Sequence, residues 1–355
     1  MLPVTMITSE VLPRAAALVS GGMGEVNRQL VLRQRPEGLV KENDFELVET
    51  PIPEVADGEA LLKVNYLGID ATVRTWLNRG EGYLPAVEIG EPVRSSGMGT
   101  VIASKNERFP VGGQASLLSG WQEYAIVRDD PLMTPLAADT DAPAMLALYG
   151  ATGLTAYVGL VDIGALKEGE TVVVSAAAGS TGSVACQIAK IFGCRVIGLC
   201  GSDEKCSWLV DDLGIDGAIN YRTEHVPSRL KELCPDRVDV YFDNVGGDLL
   251  DDALGRLNMH GRIVLCGAIS NYNAHGKPPG PRNYSNLIAR RGRMEGFLSI
   301  DCWDRFPEIR AILEGWVAEG KLQWRAHFFD GLQSAPEALN AMFTGANTGK
   351  IIVRL

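Results

Sequence analysis

Residues 171–205 read TVVVSAAAGSTGSVACQIAKIFGCRVIGLCGSDEK, and this stretch decides the fold. A β-branched run, Thr171–Val174, leads through small residues into a helical pattern carried by Val184, Ile188, Ala189 and Ile191. A second apolar strand follows at Arg195–Leu199. Strand, tight turn, helix and strand in that order over about thirty residues make a dinucleotide-binding unit, its turn at Ala177-x-Gly179-x-x-Gly182. Gly179 lets the backbone approach a pyrophosphate, and Gly182 lets the helix lie close to the strand. The helix N-terminus presents free N–H groups and a partial positive charge to that anion. Small residues kept there only for packing are the rival reading, and the ordered succession of elements weighs against it.

The end of the second strand selects the nucleotide. A unit that takes NAD usually places Asp or Glu about 20 residues after the turn, where it accepts from the ribose 2′-OH. Here that place holds Cys200, Gly201 and Ser202, with Lys205 just beyond. Losing the carboxylate removes repulsion of a 2′-phosphate, and a lysine supplies a point charge for it. Such a charge-assisted bond contributes about 1.5–3 kcal/mol. NADPH is therefore the expected cofactor. Asp203 and Glu204 argue the other way, because Asp203-Glu204-Lys205 also reads as a solvated first helical turn with Ser202 as N-cap.

A chain of 355 residues suggests two domains, and its composition is that of a globular protein. A net charge of −11 argues against nucleic acid as a partner. The short Arg290-Arg291-x-Arg293 cluster reads as a solvated segment end. Two long uncharged stretches, Ala142–Val161 and Thr171–Ala189, carry Gly, Ser and Thr and read as too polar to span a bilayer, so no membrane is expected. The seven cysteines at 186, 194, 200, 206, 234, 266 and 302 follow no framework spacing and read as reduced thiols of a cytoplasmic protein. The histidines are His225, His260, His275 and His327, so nothing before residue 186 is either Cys or His. A zinc site built from the first half lacks its ligands, and no metal is expected there.

Residues 1–26 match neither a clear signal peptide nor a core element and are set aside as a leader or disordered tail, with Met23 the expected start. From Asn27 to about Tyr149, short β runs occur at Gln29–Arg33, Phe45–Thr50, Ala60–Leu67, Gly97–Ala103 and Tyr124–Val127. They predict a small β-rich barrel or sandwich. From about Gly150 the strands alternate with helices, at Val172–Val174, Arg195–Leu199, Gly217–Asn220, Val238–Phe242, Arg262–Cys266 and Met294–Leu298. That alternation predicts an α/β fold with a doubly wound parallel sheet. A helix near Ser334 and a last strand, Lys350–Val353, complete the chain, and this strand can return to the first domain.

A β-rich front, a central dinucleotide unit and a short return segment resemble the medium-chain dehydrogenase/reductase superfamily. The motifs resemble its zinc-free branch of prostaglandin reductases, bacterial curcumin reductases and plant alkenal double-bond reductases. They include Asn27-Arg28-Gln29, Gly153-Leu154-Thr155-Ala156-Tyr157, Tyr241-Phe242-Asp243-Asn244-Val245-Gly246-Gly247 and Asn347-x-Gly349-Lys350. Phe45-x-Leu47-Val48-Glu49, Cys266-Gly267-Ala268-Ile269-Ser270-x-Tyr272-Asn273 and Arg293-Met294-Glu295-Gly296-Phe297 belong to the same set. The likeness runs from Asn27 to Leu355. It implies a Rossmann NADPH-binding domain over residues 150–320 and a GroES-like substrate domain over 27–149 and 321–355.

The resemblance also implies roles. Gly179, Ser180, Thr181 and Gly182 hold the pyrophosphate; Ser202, Lys205 and Tyr221 meet the adenosine end, with the 2′-phosphate on Lys205 and Tyr221. Asn244, the loop Cys266, Gly267, Ala268, Ile269, Ser270 and Tyr272, and Phe297, Leu298 and Ser299 flank the nicotinamide. Asn347 reaches in from the return segment. Read from residues alone, Asp243-Asn244-x-Gly246-Gly247 is equally an ordinary turn. Tyr272 is the candidate catalytic residue, as donor to an enolate oxygen or as a side chain that only packs and positions the ribose. One departure stands out. Relatives read Asp-Pro-Tyr-Met-Arg where this chain has Asp70-Ala71-Thr72-Val73-Arg74, which points to a roomier pocket mouth.

The expected function is NADPH-dependent reduction of the carbon–carbon double bond of α,β-unsaturated ketones or aldehydes, by a homodimer paired through an edge at Arg293–Ser299. Quinone reduction, zinc-dependent alcohol dehydrogenation and NADPH binding with little catalysis are the alternatives.

Overall fold

Thr171–Ser175 is buried at every residue, because this strand lies at the centre of a parallel sheet covered on both faces. The computed structural model describes residues 26–79, 82–274, 276 and 278–355. The front half gives β1 (Val26–Leu32), β2 (Phe45–Pro51), β3 (Ala60–Ile69), β4 (Ser96–Ser104), β5 (Gln114–Leu117), β6 (Tyr124–Val127) and β7 (Thr134–Leu136). The middle gives β8 (Thr171–Ser175), β9 (Arg195–Cys200), β10 (Gly217–Asn220), β11 (Val238–Asp243), β12 (Leu257–Leu265) and β13 (Arg293–Gly296). The tail adds β14 (Ala326–Asp330) and β15 (Lys350–Arg354).

β8 to β13 form one six-stranded parallel sheet in the order β10-β9-β8-β11-β12-β13. The order reverses at β8, and the crevice outside such a reversal is where open α/β sheets bind ligands. A second sheet runs β14-β15-β3-β4-β5-β7, with β6 also on β3. β15 pairs antiparallel with β3, so the last residues close the front sheet. β1 and β2 pair with each other, and the buried Asn27 fastens them to β6 by exchanging amide hydrogen bonds with the Tyr124 backbone at 3.0 Å.

Several expectations need correction. Val26, placed in the leader, opens β1 opposite Pro51; residues 1–25 of that segment lie outside the described residues. β5, β7 and β14 went unpredicted, since a run of three to five residues with few β-branched members carries little signal of its own. The strand expected at Met294–Leu298 ends at Gly296, which leaves Phe297 and Leu298 free beyond the sheet. Composition does not exclude Ala142–Val161 as a membrane span: the helical run Ala142–Ile163 is long and apolar enough, with a mean hydropathy of 1.5. It is instead 72% buried inside the protein, where Leu148, Leu154, Ala156 and Leu160 join the core beneath the parallel sheet.

The helix Ser180–Ile191 lies across the start of that sheet. Val184, Ala185, Ile188 and Ala189 face the core, and Gly193 ends the helix at φ +75°. A Cβ at Gly182 would sit 2.3 Å from the Ala176 carbonyl, so only glycine brings the helix this close to the turn after β8.

Candidate functional site

A cleft of about 680 Å³ runs between the two sheets. It is placed by a simple regularity: the residue that follows each of the six parallel strands lines it. These are Ala176, Gly201, Tyr221, Asn244, Cys266 and Phe297. The front sheet supplies the opposite wall with Asp70, Thr72, Trp76, Tyr83, Leu117 and Thr134, and the return segment adds Phe343, Gly345, Asn347 and Lys350.

At one end the helix Ser180–Ile191 points its N-terminus into the cleft. Its N-cap, Gly179, brings no side-chain acceptor, so the first-turn N–H groups remain for a ligand. The return segment is docked on this turn by the Gly349 N–H, which donates to the Ala178 carbonyl at 2.8 Å. Asn347 bonds the Gly349 carbonyl at 3.0 Å and is held at the cleft wall.

Beyond the end of β9, Lys205 turns into the cleft and donates to the Gly345 carbonyl at 2.9 Å. Burial lowers its pKa, which marks a cation short of solvent and of a carboxylate partner. Arg222, directly after Tyr221, donates to the Thr344 carbonyl at 2.8 Å beside it. Asp203 is turned aside, held by the Asn220 amide at 2.7 Å, and neither it nor Glu204 borders the cleft. The carboxylates that argued for NAD in the sequence thus stay outside the cleft that Lys205 lines.

At the other end two loops form one structure. The buried Asp243 carboxylate accepts from the Ser175 hydroxyl and the Val245 and Gly246 N–H groups, each at 3.0 Å. Burial raises its pKa, and the backbone donors offset only part of that rise. Ser175 holds both the N–H of Asn244, through its hydroxyl at 2.8 Å, and the Asn244 side-chain amide, through its carbonyl at 2.7 Å. The N–H groups of Gly267, Ile269 and Ser270 then bond carbonyls of Asp243, Asn244 and Val245. Tyr272 closes this loop: its hydroxyl accepts from the Ala268 N–H at 3.1 Å and faces the cleft. Burial pushes the phenol above its ordinary value, so it stays protonated and keeps a proton to donate.

All the residues singled out from the sequence border this one cleft except Ser202 and Ala268. Ser202 caps the helix Asp203–Ser207 by accepting from the Lys205 N–H at 3.3 Å, and Ala268 acts through the Tyr272 hydroxyl. Sequence reading missed Arg222, Tyr83 and the pair Asp70–Lys350. Arg222 left a signal as a second cation beside Tyr221, and Asp70 and Lys350 each lie in a quoted motif, but only the fold brings them together. Among the described residues no group of three or more His, Cys, Asp or Glu is placed to hold a metal ion.

Two family models match the chain: an N-terminal domain of oxidoreductase over residues 28–134 and a zinc-binding dehydrogenase over residues 180–314. The NADPH-dependent curcumin reductase of Escherichia coli is 35% identical over 340 residues, covering 94% of this chain and 99% of that one. The chain belongs to the zinc-free branch of the medium-chain dehydrogenase/reductase superfamily. Prostaglandin reductase 1 of Rattus norvegicus, in the same branch, is 39% identical over 330 residues, with 91% and 97% of the two chains covered. The crystal structure of CurA from Vibrio vulnificus in complex with NADPH superposes with a TM-score of 0.88 at 38% identity, over 92% of this chain and 98% of that one. The medium-chain fold thus accounts for the cleft at the strand ends.

Proposed function

We propose that this protein uses NADPH to reduce the carbon–carbon double bond of α,β-unsaturated ketones or aldehydes, without a metal ion. The observation that carries the reading is Tyr272: a half-buried, protonated phenol shares one cleft with an anion-ready helix N-terminus and a cation in place of the ribose-binding acid. Relatives named curcumin reductase and prostaglandin reductase support the same chemistry.

Gly179, Ser180, Thr181 and Gly182 would cradle the pyrophosphate, and Lys205 and Tyr221, with Arg222 nearby, the 2′-phosphate end. Asn244, the Cys266–Tyr272 loop, Phe297, Leu298, Ser299 and Asn347 would frame the nicotinamide. Held there, NADPH would supply the hydride for the β-carbon of the substrate. The protein then faces an enolate oxygen, and the Tyr272 hydroxyl, its lone pair already engaged by Ala268, has its proton free to donate there. The enol would become the saturated carbonyl as the α-carbon takes a proton from solvent and the enol oxygen returns its own to Tyr272, one hydride and one proton being added in all. The apolar wall of Trp76, Leu117 and Phe297 keeps water from the reacting atoms.

The chain is read as a cytoplasmic homodimer. Free cysteines support the first, and β13, an edge strand of the parallel sheet, supports the second. NADPH oxidation against a panel of enones, alkenals and quinones, with NADH as control, tests the activity. Turnover of quinones alone would replace this reading with quinone reduction, and binding without oxidation would leave a cofactor-binding protein.

A further inference from the structure

Of the seven cysteines, only Cys200 and Cys206 have sulfurs in contact with each other, at 3.1 Å. We propose that this pair is a reversible redox site, oxidised by hydroperoxides to an intramolecular disulfide that weakens NADPH binding. The second half of that statement rests on the reading of Lys205 as the 2′-phosphate contact.

Both sulfurs sit at the ends of one short segment. Cys200 is the last residue of β9, and Cys206 lies in the helix Asp203–Ser207 capped by Ser202. Between them run Gly201 and Lys205, which line the end of the cleft assigned to the adenosine. A disulfide bond of about 2.05 Å needs the sulfurs to close by roughly 1 Å, within reach of small side-chain rotations. Drawing Cys206 toward β9 drags its neighbour Lys205, whose ammonium is tied to the Gly345 carbonyl. Closure therefore acts on the cation assigned to the 2′-phosphate.

Access is through Cys206, which is only partly buried; Cys200 borders the cleft but is itself almost fully buried. Burial pushes both thiols up, which slows the first oxidation, while Lys205 favours the Cys200 thiolate. One thiol loses its proton, and its thiolate attacks the peroxide O–O bond, giving a sulfenic acid and, after protonation, an alcohol or water. The second thiol attacks that sulfur and releases water. In sum, two thiols lose two electrons and two protons to one hydroperoxide, and a dithiol reverses the change.

The test uses the full-length enzyme treated with hydrogen peroxide, with and without saturating NADPH, followed by peptide mapping and kinetics. A Cys200–Cys206 link is expected, forming more slowly under NADPH and faster at higher pH. The KM for NADPH should rise roughly tenfold and return with dithiothreitol, while the KM for NADH moves little. Cys206→Ser should abolish the link and keep its KM under peroxide. Absence of the link, or a link that leaves the NADPH KM unchanged, would overturn the proposal. Lys205→Ala in the reduced enzyme separates the two readings: equal loss for NADPH and NADH would remove the phosphate assignment, whereas the mapped disulfide stands or falls by itself.

Discussion

The Lys350 ammonium donates to the Asp70 carboxylate across 280 residues of chain, and its side chain is only 3% exposed. The pair ties β15 to the loop after β3 at the floor of the cleft. One residue earlier, the Gly349 N–H is bonded to the fingerprint turn. The return segment therefore joins the cofactor turn to the substrate wall. Asp70→Asn strands a buried ammonium. Full burial would set the cost at about 3–5 kcal/mol, and the partial exposure of Asp70 reduces it to roughly 1–3 kcal/mol. Denaturant midpoints measure the loss, and Asp70→Asn combined with Lys350→Met should recover part of it. Strictly additive losses would show that the two side chains are not coupled.

Cofactor choice rests on Lys205. Lys205→Ala should weaken NADPH roughly ten- to a hundredfold and leave NADH nearly unaffected. Arg222→Ala, removing a cation set farther from the cleft, should act in the same direction but less. Titration of both nucleotides against each variant provides the measurement.

Tyr272→Phe should reduce kcat by about 10²- to 10⁴-fold if the phenol donates the proton. A small loss confined to NADPH affinity would make it a positioning residue. The pH dependence has a definite sign. A general acid works while protonated, and burial raises this phenol above the usual value near 10, so the alkaline fall in kcat should begin above that pH. A fall centred well below pH 10 would assign the proton to another group.

The substrate wall carries the fourth prediction. The family resemblance implies tyrosine where Thr72 stands, and the Thr72 hydroxyl is hydrogen-bonded to Tyr83 at 2.7 Å. The ring of Tyr83, its centroid 6.1 Å from that of Trp76, thus lies against residue 72 at the cleft wall. Thr72→Tyr should displace Tyr83 and narrow the mouth, lowering kcat/KM for bulky enones more than for small ones. Unchanged ratios across a size series would contradict this role.

Much of this site was legible before any coordinates. The turn at Gly179–Gly182, the missing carboxylate after β9 and the barren ligand inventory of the first half are local facts, and local spacing sets their chemistry. Val172–Val174 reads as a buried strand because nothing in it tolerates water. The weak front strands β5 and β7 read as loops because their pairing partners, not their own residues, make them strands.

The sequence by itself determined the parallel sheet, the glycine turn that opens the helix Ser180–Ile191 and the lack of Cys or His before residue 186, because each depends on residues close together in the chain. Tertiary structure decided whether Asp203 or Lys205 faces the cleft, since they are near neighbours in sequence and only the Asn220 amide turns the acid away. It also decided that Asp70 meets Lys350 and that Tyr83 is hydrogen-bonded to Thr72. Those outcomes depend on burial and on contacts between distant segments, and such contacts exist only once the two sheets close around the cleft.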